Sequence, residues 1–460
     1  MSRLVIIGGS DAGISAALRA KEIEPKIDVA VIVADKFPNY SICGLPFYIS
    51  SEVPDWKKLA HRTVEDIEKQ GIRLLLEHRA ETIDSKSKTV SVKDNKGKIF
   101  SLKYDKLIIA TGAVSARPQI TGLDLPGVFL LRWMEDGFLL KSYLDEKKPE
   151  RAIIIGGGYI GMEMADALKL RGIDATVIEY FDTLLTTMDP EIGKRVEETL
   201  ARHGVKAVTK TAVNSIEERG NCLRVLGSNG FQAEAEVILV ASGVRPNVNL
   251  ALSAGVSLGD FGAIKVNRKM ETNIADIYAA GDCVETWHRL LQKYVYMPLG
   301  STAHKQGRAA GQNAAGGSAE FQGSLGTQAV KIFDVVAART GLRDVEANTA
   351  GFDPLTIEYE DWDHKVYYPG ARRLILRLTG DKKTGRLLGL QMIGPYGAEI
   401  SKRVDIIATA ISGGMRVNEI GALDLTYTPP LSSPWDPLQS VCQAWMKYFP
   451  QKGKFPRVDS

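Results

Sequence analysis

Short apolar runs that end in glycine-rich turns recur along this chain. The first run, Leu4 to Ile7, leads into the turn Gly8-Gly-Ser-Asp-Ala-Gly13, and a helix is predicted directly after it. Glycines in such a turn let the backbone approach a pyrophosphate, which binds the unpaired N–H groups of the helix start. Ser10 replaces the middle glycine of the usual G-x-G-x-x-G pattern, so this turn alone is a partial match.

The second turn matches the pattern in full. An apolar run ends in Gly156-Gly-Gly158-Tyr159-Ile-Gly161, and a predicted helix and a strand follow that end at Glu179. An acid about 20 residues past the last glycine accepts hydrogen bonds from a ribose 2′-OH. The sequence therefore predicts a nucleotide-binding β-α-β unit here.

The acid that should follow the first turn is less clearly placed. The strand Val29 to Ala34 ends at Asp35, a position or two later than the pattern requires. Asp35 is therefore predicted either to bind a second ribose or to belong to a turn.

Three further apolar runs end in a small residue followed by glycine. They are Lys106 to Gly112, Val237 to Gly243, and Thr272 to Asp282, the last of which adds an acid after Gly281. Each is predicted to be a strand of a dinucleotide-binding sheet.

Length and composition limit the number of domains, the kinds of partner and the location that we expect. A chain of 460 residues implies roughly two to four domains. Lys and Arg total 58 against 55 for Asp and Glu, so no chain-wide field favours nucleic acid or a membrane surface. No apolar run approaches the ~20 residues that span a bilayer. With four scattered cysteines and no leader pattern at the start, we expect a cytoplasmic protein.

One cysteine stands out by its position. Cys43 follows the first glycine turn, and the other cysteines, Cys222, Cys283 and Cys442, are far away in the sequence. Pro46 just after it indicates a helix start, whose dipole would favour the reactive thiolate. Cys43 is thus predicted to be a lone redox thiol, with a buried structural cysteine as the alternative.

Taken together, these stretches resemble the flavoprotein disulfide reductases that bind two dinucleotides. The resemblance implies an α/β fold with two Rossmann-like domains, for FAD and NAD, and a C-terminal α+β dimerisation domain. The implied bounds are 1–115 with 243–325 for the FAD domain, 116–242 for the NAD domain, 326–450 for the dimerisation domain, and a tail at 451–460.

The same resemblance assigns the cofactor-binding residues. NADH is the expected nicotinamide cofactor, with NADPH as the alternative. Tyr159 is similar to an aromatic gate that covers the flavin until nicotinamide displaces it, and Glu163 is placed near the nicotinamide. FAD is assigned Gly8, Gly13, Asp35, Gly281 and Asp282; NAD is assigned Gly156, Gly158, Gly161 and Glu179; further cofactor-binding residues are Thr111, Gly112, Arg132 and Gly243.

Within that family the chain is most similar to the single-cysteine coenzyme A disulfide reductases. The similar segments are His364 to Gly370, Lys402 to Asp405 and Tyr427 to Ser433. In that subfamily tyrosines reach the partner subunit's cysteine, which implies a homodimer and catalytic roles for Tyr427 and for Tyr367 or Tyr368. The expected substrate is coenzyme A disulfide or a related small disulfide or persulfide.

Some residues depart from the family's patterns. Ile42 stands where the coenzyme A disulfide reductases usually have Asn, and Trp435 where a Lys is usual. Both lie where the substrate would approach, so coenzyme A itself is less firmly implied than a small disulfide or persulfide.

Two other functions are compatible with the same fold. The peroxidase and oxidase branch carries a catalytic histidine inside the first glycine turn, where this chain has Asp11. A carboxylate offers no cationic partner for peroxide reduction, although an NADH oxidase that reduces oxygen at the flavin stays open. A redox-sensing electron-transfer flavoprotein that docks another protein is the second alternative.

Overall fold

The computed structural model describes residues 2–449, so the expected tail 451–460 and residue 450 lie outside the described residues. The first 115 residues alternate parallel strands with helices and add a short antiparallel sheet. Their elements are β1 (Arg3–Ile7), α1 (Asp11–Ile23), β2 (Asp28–Val33), α2 (Leu45–Ser50), α3 (Val64–Glu68), β3 (Ile72–Leu76), β4 (Arg79–Asp84), β5 (Thr89–Lys93), β6 (Ile99–Lys103), β7 (Lys106–Ile109) and β8 (Ala113–Ser115).

The next segment repeats the same plan. Its elements are β9 (Val128–Leu130), α4 (Met134–Lys147), β10 (Arg151–Ile155), α5 (Tyr159–Leu170), β11 (Asp174–Ile178), α6 (Pro190–Arg202), β12 (Lys206–Val208), β13 (Val213–Arg219), β14 (Cys222–Gly227), β15 (Gln232–Ala235) and β16 (Val237–Val240).

The chain then returns to the first sheet before forming a separate C-terminal unit. The returning elements are β17 (Val244–Pro246), α7 (Asn249–Ser253), β18 (Ile277–Ala279), β19 (Thr286–His288), β20 (Lys293–Val295) and α8 (Gly300–Ala314). The C-terminal elements are β21 (Gln328–Ile332), β22 (Val335–Gly341), α9 (Asp344–Thr349), β23 (Pro354–Trp362), β24 (Arg373–Asp381), β25 (Leu387–Pro395), α10 (Ile400–Ser412), α11 (Val417–Ile420) and α12 (Pro437–Met446). Short 3₁₀ helices lie at Ile42–Gly44, Trp56–Leu59 and Ser228–Gly230.

Two five-stranded parallel sheets carry the two glycine turns. The first has the strand order β18-β7-β1-β2-β3 and the second the order β12-β11-β10-β16-β9. Their strands are apolar almost throughout because both faces of each sheet are covered, one by helices and the other by a three-stranded antiparallel sheet, β4-β5-β6 or β13-β14-β15. The predicted strands before each turn, and those that end near Gly112, Gly243 and Gly281, are all present.

The late return of the chain completes the first sheet. β18 pairs in parallel with β7, and α8 packs on α1 through small residues. A Cβ on Gly307 would lie 2.2 Å from the Ala12 carbonyl oxygen, so only glycine permits this approach. The close packing brings the start of α8 beside the first glycine turn.

The C-terminal unit is built differently. Its five strands are antiparallel in the order β21-β22-β25-β24-β23, and α10 and α12 contact the sheet. Trp445 of α12 is fully buried in its core. The expected α/β fold with two Rossmann-like units and a C-terminal α+β domain is confirmed.

The antiparallel pair of β8 with β17 joins the first two units. These strands lie at the expected boundaries near residues 115 and 243, although the domain bounds themselves stay a prediction. No helix between residues 2 and 449 is long and apolar enough to cross a membrane.

Candidate active site

A cavity of about 1110 Å³ opens at the carboxyl ends of the first sheet. Ligands of parallel α/β sheets bind at this edge, where the strand order reverses. Much of its lining was assigned to FAD or to a cofactor from the sequence: Gly8, Asp35, Thr111, Gly112, Arg132, Gly281 and Asp282. Gly300 and Ala303 from the start of α8 also line it, so the positive end of that helix dipole lies at the cavity.

Gly13 does not line the cavity and has a packing role instead. A Cβ at Gly13 would lie 1.9 Å from the Gly8 carbonyl oxygen. Gly8 itself has φ +117°, a backbone conformation that other residues rarely adopt. The two glycines therefore let α1 begin directly against β1, which exposes the helix start to the cavity.

Asp35 belongs to a turn and also lines the cavity. Its carboxylate accepts a hydrogen bond from the backbone N–H of Phe37 at 2.8 Å, which makes it a turn residue. The same side chain lines the cavity, and burial raises its pKa. Its binding of a ribose stays a prediction.

Arg132 and Asp282 form an ion pair at the cavity wall. Arg132 Nη2 lies 2.7 Å from Asp282 Oδ2, and Arg132 Nε donates to the Ala113 carbonyl oxygen at 3.1 Å. Nearby, Thr111 Oγ1 donates to the carbonyl oxygen of Asn247. Sequence analysis missed Asn247, which also lines the cavity, because it lies in a loop without a marked pattern.

Cys43 lies next to this cavity in the 3₁₀ turn Ile42–Gly44, directly before α2. It is a free, exposed thiol, and its neighbour Ile42 lines the cavity. Cys43 precedes a helix start as expected, but other groups oppose the effect expected of the helix dipole. Although the residue reaches solvent, the protein atoms packed around its thiol raise the pKa of Cys43, and the charges of Glu163 and Asp11 raise it further.

Among the charged groups, Glu163 has the largest effect on the pKa of Cys43. It lies on α5, which packs against α2, and forms no ion pair within residues 2–449. Burial, together with the nearby Asp166, raises the pKa of Glu163 to about 7. The fold thus brings a readily protonated carboxyl group toward the candidate redox thiol.

Open space adjoins the second glycine turn. A Cβ at Gly161 would lie 2.0 Å from the Gly156 carbonyl oxygen, which repeats the packing of the first turn. A Cβ at Gly158 or Gly243 would meet no atom within 4 Å. The open space at Gly158 fits the close approach of a pyrophosphate to the backbone.

Glu179 lies beneath this turn and is 7% exposed. Its carboxylate accepts hydrogen bonds from the backbone N–H groups of Gly157 at 2.6 Å and Phe181 at 2.9 Å. Tyr159, at the start of α5, has its hydroxyl 3.5 Å from Thr187 Oγ1. Tyr159 thus lies at the helix start of the second turn and Glu179 directly beneath the turn, where a nicotinamide dinucleotide was expected.

The three candidate tyrosines lie on the surface of the C-terminal unit. Tyr367 is 70% exposed and Tyr427 is 45% exposed, and their side chains share a hydrogen bond. Tyr368 instead contacts the ring of His364 edge-on, with centroids 5.8 Å apart.

An apolar surface surrounds these tyrosines. Val366, Leu431 and Trp435 are each more than half exposed. Contiguous exposed apolar residues of this kind mark contact surfaces.

The fold and the site together define a two-dinucleotide oxidoreductase. The family model for pyridine nucleotide-disulphide oxidoreductases matches residues 2–307, and the model for the dimerisation domain of the same family matches residues 327–437. The chain belongs to this family. The expectations of an oxidoreductase that uses FAD and a pyridine nucleotide are confirmed.

Several relatives are similar to this chain over nearly its whole length. The NAD(P)H sulfur oxidoreductase (CoA-dependent) of Pyrococcus furiosus is 39% identical, over 95% of this chain and 97% of its own. The NAD-dependent persulfide reductase from A. fulgidus is 37% identical, with a TM-score of 0.92 over 97% of this chain and 83% of that one. The reduced CoADR-RHD of Bacillus anthracis is 32% identical, with a TM-score of 0.94 over 97% and 80%.

Proposed function

We propose that this protein uses NAD(P)H and FAD to reduce coenzyme A disulfide, or a related low-molecular-weight disulfide or persulfide, through Cys43. The observation that carries the proposal is a single free thiol beside the dinucleotide cavity. Of the other three cysteines, Cys283 and Cys442 are buried and Cys222 lies in β14. A thiol without a neighbouring cysteine takes its disulfide partner from the substrate.

The residues present fit the two dinucleotides. The cavity is large enough for an extended dinucleotide, and glycines occupy the positions where its phosphates would approach. FAD, when bound there, supplies the centre that carries two electrons from the nicotinamide to the sulfur. The open second turn, with Glu179 beneath it, is the proposed site for the nicotinamide dinucleotide.

The chain's own residues would carry the sulfur chemistry. The Cys43 thiolate attacks one sulfur of the substrate, forms a mixed disulfide and displaces the other sulfur as a thiolate, which takes up a proton. Two electrons from NADH then cleave the mixed disulfide. This releases the second thiol and regenerates Cys43, so one disulfide, two electrons and two protons give two thiols.

A tyrosine of the partner subunit is the proposed proton donor. The matched dimerisation domain and the exposed apolar surface around Tyr367 and Tyr427 support a homodimer in which these tyrosines face the partner's cysteine. We favour Tyr367 over Tyr368, because the Tyr367 side chain shares a hydrogen bond with Tyr427. A phenol placed near a developing thiolate can act as a general acid.

The substrate and the location follow from the same chemistry. A redox thiol that must meet small disulfides stays free in a reducing compartment, so we propose a cytoplasmic enzyme. Nothing in the balance of charges favours nucleic acid as a partner.

Oxygen reduction is the competing activity. Asp11 lines the cavity where the peroxidase and oxidase branch has a histidine, and its charge raises the pKa of Cys43. This arrangement offers no cation to stabilise a cysteine sulfenate, which disfavours peroxide chemistry. Oxygen uptake that matches NADH consumption without any disulfide would instead support an oxidase.

The test compares Cys43→Ser with Cys222→Ser, a matched change at a cysteine in β14 away from the cavity. We expect both variants to be yellow and to release FAD on denaturation. Cys43→Ser should keep reduction of the flavin by NADH and lose turnover of coenzyme A disulfide and persulfide, whereas Cys222→Ser should keep both. Disulfide turnover by Cys43→Ser, or a colourless protein that FAD cannot reconstitute, would contradict the proposal.

A further inference from the structure

A short segment after β11 joins the NAD-type unit to the C-terminal domain. We call residues 184–189 the anchor segment. Four side chains of the C-terminal domain bind this segment. Arg339 donates to the Thr187 carbonyl oxygen, and Arg343 donates to the carbonyl oxygens of Thr186 (3.0 Å) and Met188 (2.9 Å). At Asp189, Gln391 accepts from the backbone N–H (2.7 Å) and Arg377 pairs with the carboxylate (2.9 Å).

The other side of the anchor segment contacts the second glycine turn. The backbone N–H of Leu185 donates to the Gly157 carbonyl oxygen at 2.9 Å. Leu185 itself has φ +47°, an uncommon conformation for an apolar residue that surrounding contacts must maintain. Thr187 Oγ1 then reaches the Tyr159 hydroxyl at 3.5 Å. One short segment therefore connects the C-terminal domain to the aromatic ring at the NAD site.

Arg339 is itself held in place by a partly buried ion pair. It is 6% exposed, and its guanidinium is paired with Glu346 at 2.7 Å. Burial raises the pKa of Tyr159, while the Thr187 hydrogen bond and the charge of Arg339 act in the opposite direction. Arg339 is thus close enough to act on the phenol as well as on the Thr187 backbone.

We propose that Thr187 is a positioning residue for Tyr159, and that the C-terminal domain fixes Thr187 through Arg339. The inference rests on the proposed use of NAD(P)H and on the role that the family resemblance implies for Tyr159, as the ring that nicotinamide displaces. The Thr187 hydroxyl holds the ring in the position seen here, so nicotinamide must break this hydrogen bond to enter. The C-terminal domain thereby takes part in cofactor access as well as in dimerisation.

The long distance between the Thr187 and Tyr159 hydroxyls fits a contact that breaks when nicotinamide enters. A hydroxyl pair at 3.5 Å is at the weak end of hydrogen bonds, so its loss changes a binding equilibrium only modestly. The net contribution of one hydrogen bond corresponds to about a twofold to tenfold change in Kd.

The test uses Thr187→Val, with Thr186→Val as the matched control. Both residues are exposed and adjacent, and both changes keep the backbone carbonyls that Arg339 and Arg343 bind. The affinity of NAD⁺ for the oxidised, FAD-loaded enzyme is measured by calorimetry, so the readout is binding and not turnover. We expect Thr187→Val to lower the Kd about twofold to tenfold and Thr186→Val to leave it unchanged.

A double-mutant cycle completes the test. Tyr159→Phe removes the other hydroxyl, so it should change the Kd in the same direction, and the double variant should show no additional effect. The inference would be overturned if the two changes had additive effects on the Kd. It would also be overturned if the Kd rose or stayed constant in Thr187→Val, or if Thr186→Val changed it equally. Failure of disulfide turnover in the wild type would contradict the proposed function and would leave this binding measurement intact.

Discussion

Glu179 accepts a hydrogen bond from the backbone N–H of Gly157, with 2.6 Å between the nitrogen and Oε2. The acid at the end of β11 is therefore fixed directly beneath the second glycine turn. A second hydrogen bond, from Phe181, holds its other oxygen. A carboxylate fixed in this way can meet a ribose hydroxyl but opposes a phosphate at the same position.

The first prediction concerns the choice of nicotinamide cofactor. Like charges 4 Å apart repel by about 1 kcal/mol even at the dielectric constant of water, so kcat/KM should favour NADH over NADPH at least about fivefold. Glu179→Ala should reduce this ratio, whereas Asp182→Ala, at an exposed acid three residues later, should preserve it. Equal kcat/KM for the two cofactors in the wild type would place Glu179 away from the ribose.

The second prediction separates binding from folding at the second turn. Gly158→Ala adds a methyl group where no protein atom lies within 4 Å, so the melting temperature should not change. The methyl group would occupy the space of the pyrophosphate, so NAD⁺ binding should weaken about tenfold, which corresponds to a loss of about 1.4 kcal/mol of binding free energy. Calorimetric titration with NAD⁺ and thermal unfolding measure the two effects.

Gly161→Ala is the contrasting variant for that test. Its methyl group would lie 2.0 Å from the Gly156 carbonyl oxygen, so it should destabilise the fold by about 1–3 kcal/mol. Normal NAD⁺ affinity in Gly158→Ala would mean that no phosphate approaches this turn.

The third prediction concerns the pH dependence of Cys43. Glu163 has a pKa raised to about 7, so it is neutral below that pH and becomes negative as the pH rises through it. Its negative charge disfavours ionisation of Cys43. Glu163→Gln removes this charge, and the pH profile of Cys43 alkylation by iodoacetamide should therefore shift to lower pH.

This measurement is made in a Cys222→Ser background, which removes the only other cysteine that is not buried. Glu65→Gln, at an exposed acid of α3, is the control and should leave the profile unchanged. An identical profile for Glu163→Gln and the control would show that the two groups do not interact.

The fourth prediction concerns the tyrosines. Loss of one general acid typically costs ~10²–10⁴-fold in rate, so Tyr427→Phe should lower disulfide turnover by a factor in this range. FAD content and dimerisation should persist, because only a surface hydroxyl is removed. Tyr367→Phe should also lower turnover, whereas Tyr368→Phe should have a smaller effect.

Mixed dimers test whether the site is shared. A heterodimer of Cys43→Ser and Tyr427→Phe subunits places both defects in one site and leaves the other site whole. Activity should return toward half of the wild-type value. Verified heterodimers without activity would mean that Tyr427 does not serve the partner's cysteine.

Much of the architecture could be predicted because it depends on local pattern. An apolar run followed by a glycine turn specifies a buried parallel strand and a helix start, so the β1 and β10 units were identified from adjacent residues alone. Cys43 was found in the same way, by its position after the first turn. The C-terminal tyrosines were found only through the resemblance, since exposed tyrosines carry no periodicity of their own.

The sequence by itself determined the two nucleotide turns, the lone thiol and the order of the three units, because neighbouring residues impose these features through backbone geometry and alternating burial. Tertiary structure alone decided which distant side chains meet. It packed α5, which carries Glu163, against α2 beside Cys43, so that the Glu163 charge raises the pKa of that cysteine. It also joined Thr187 to Tyr159 and to the C-terminal domain, because such contacts depend on how whole elements pack and not on any local repeat.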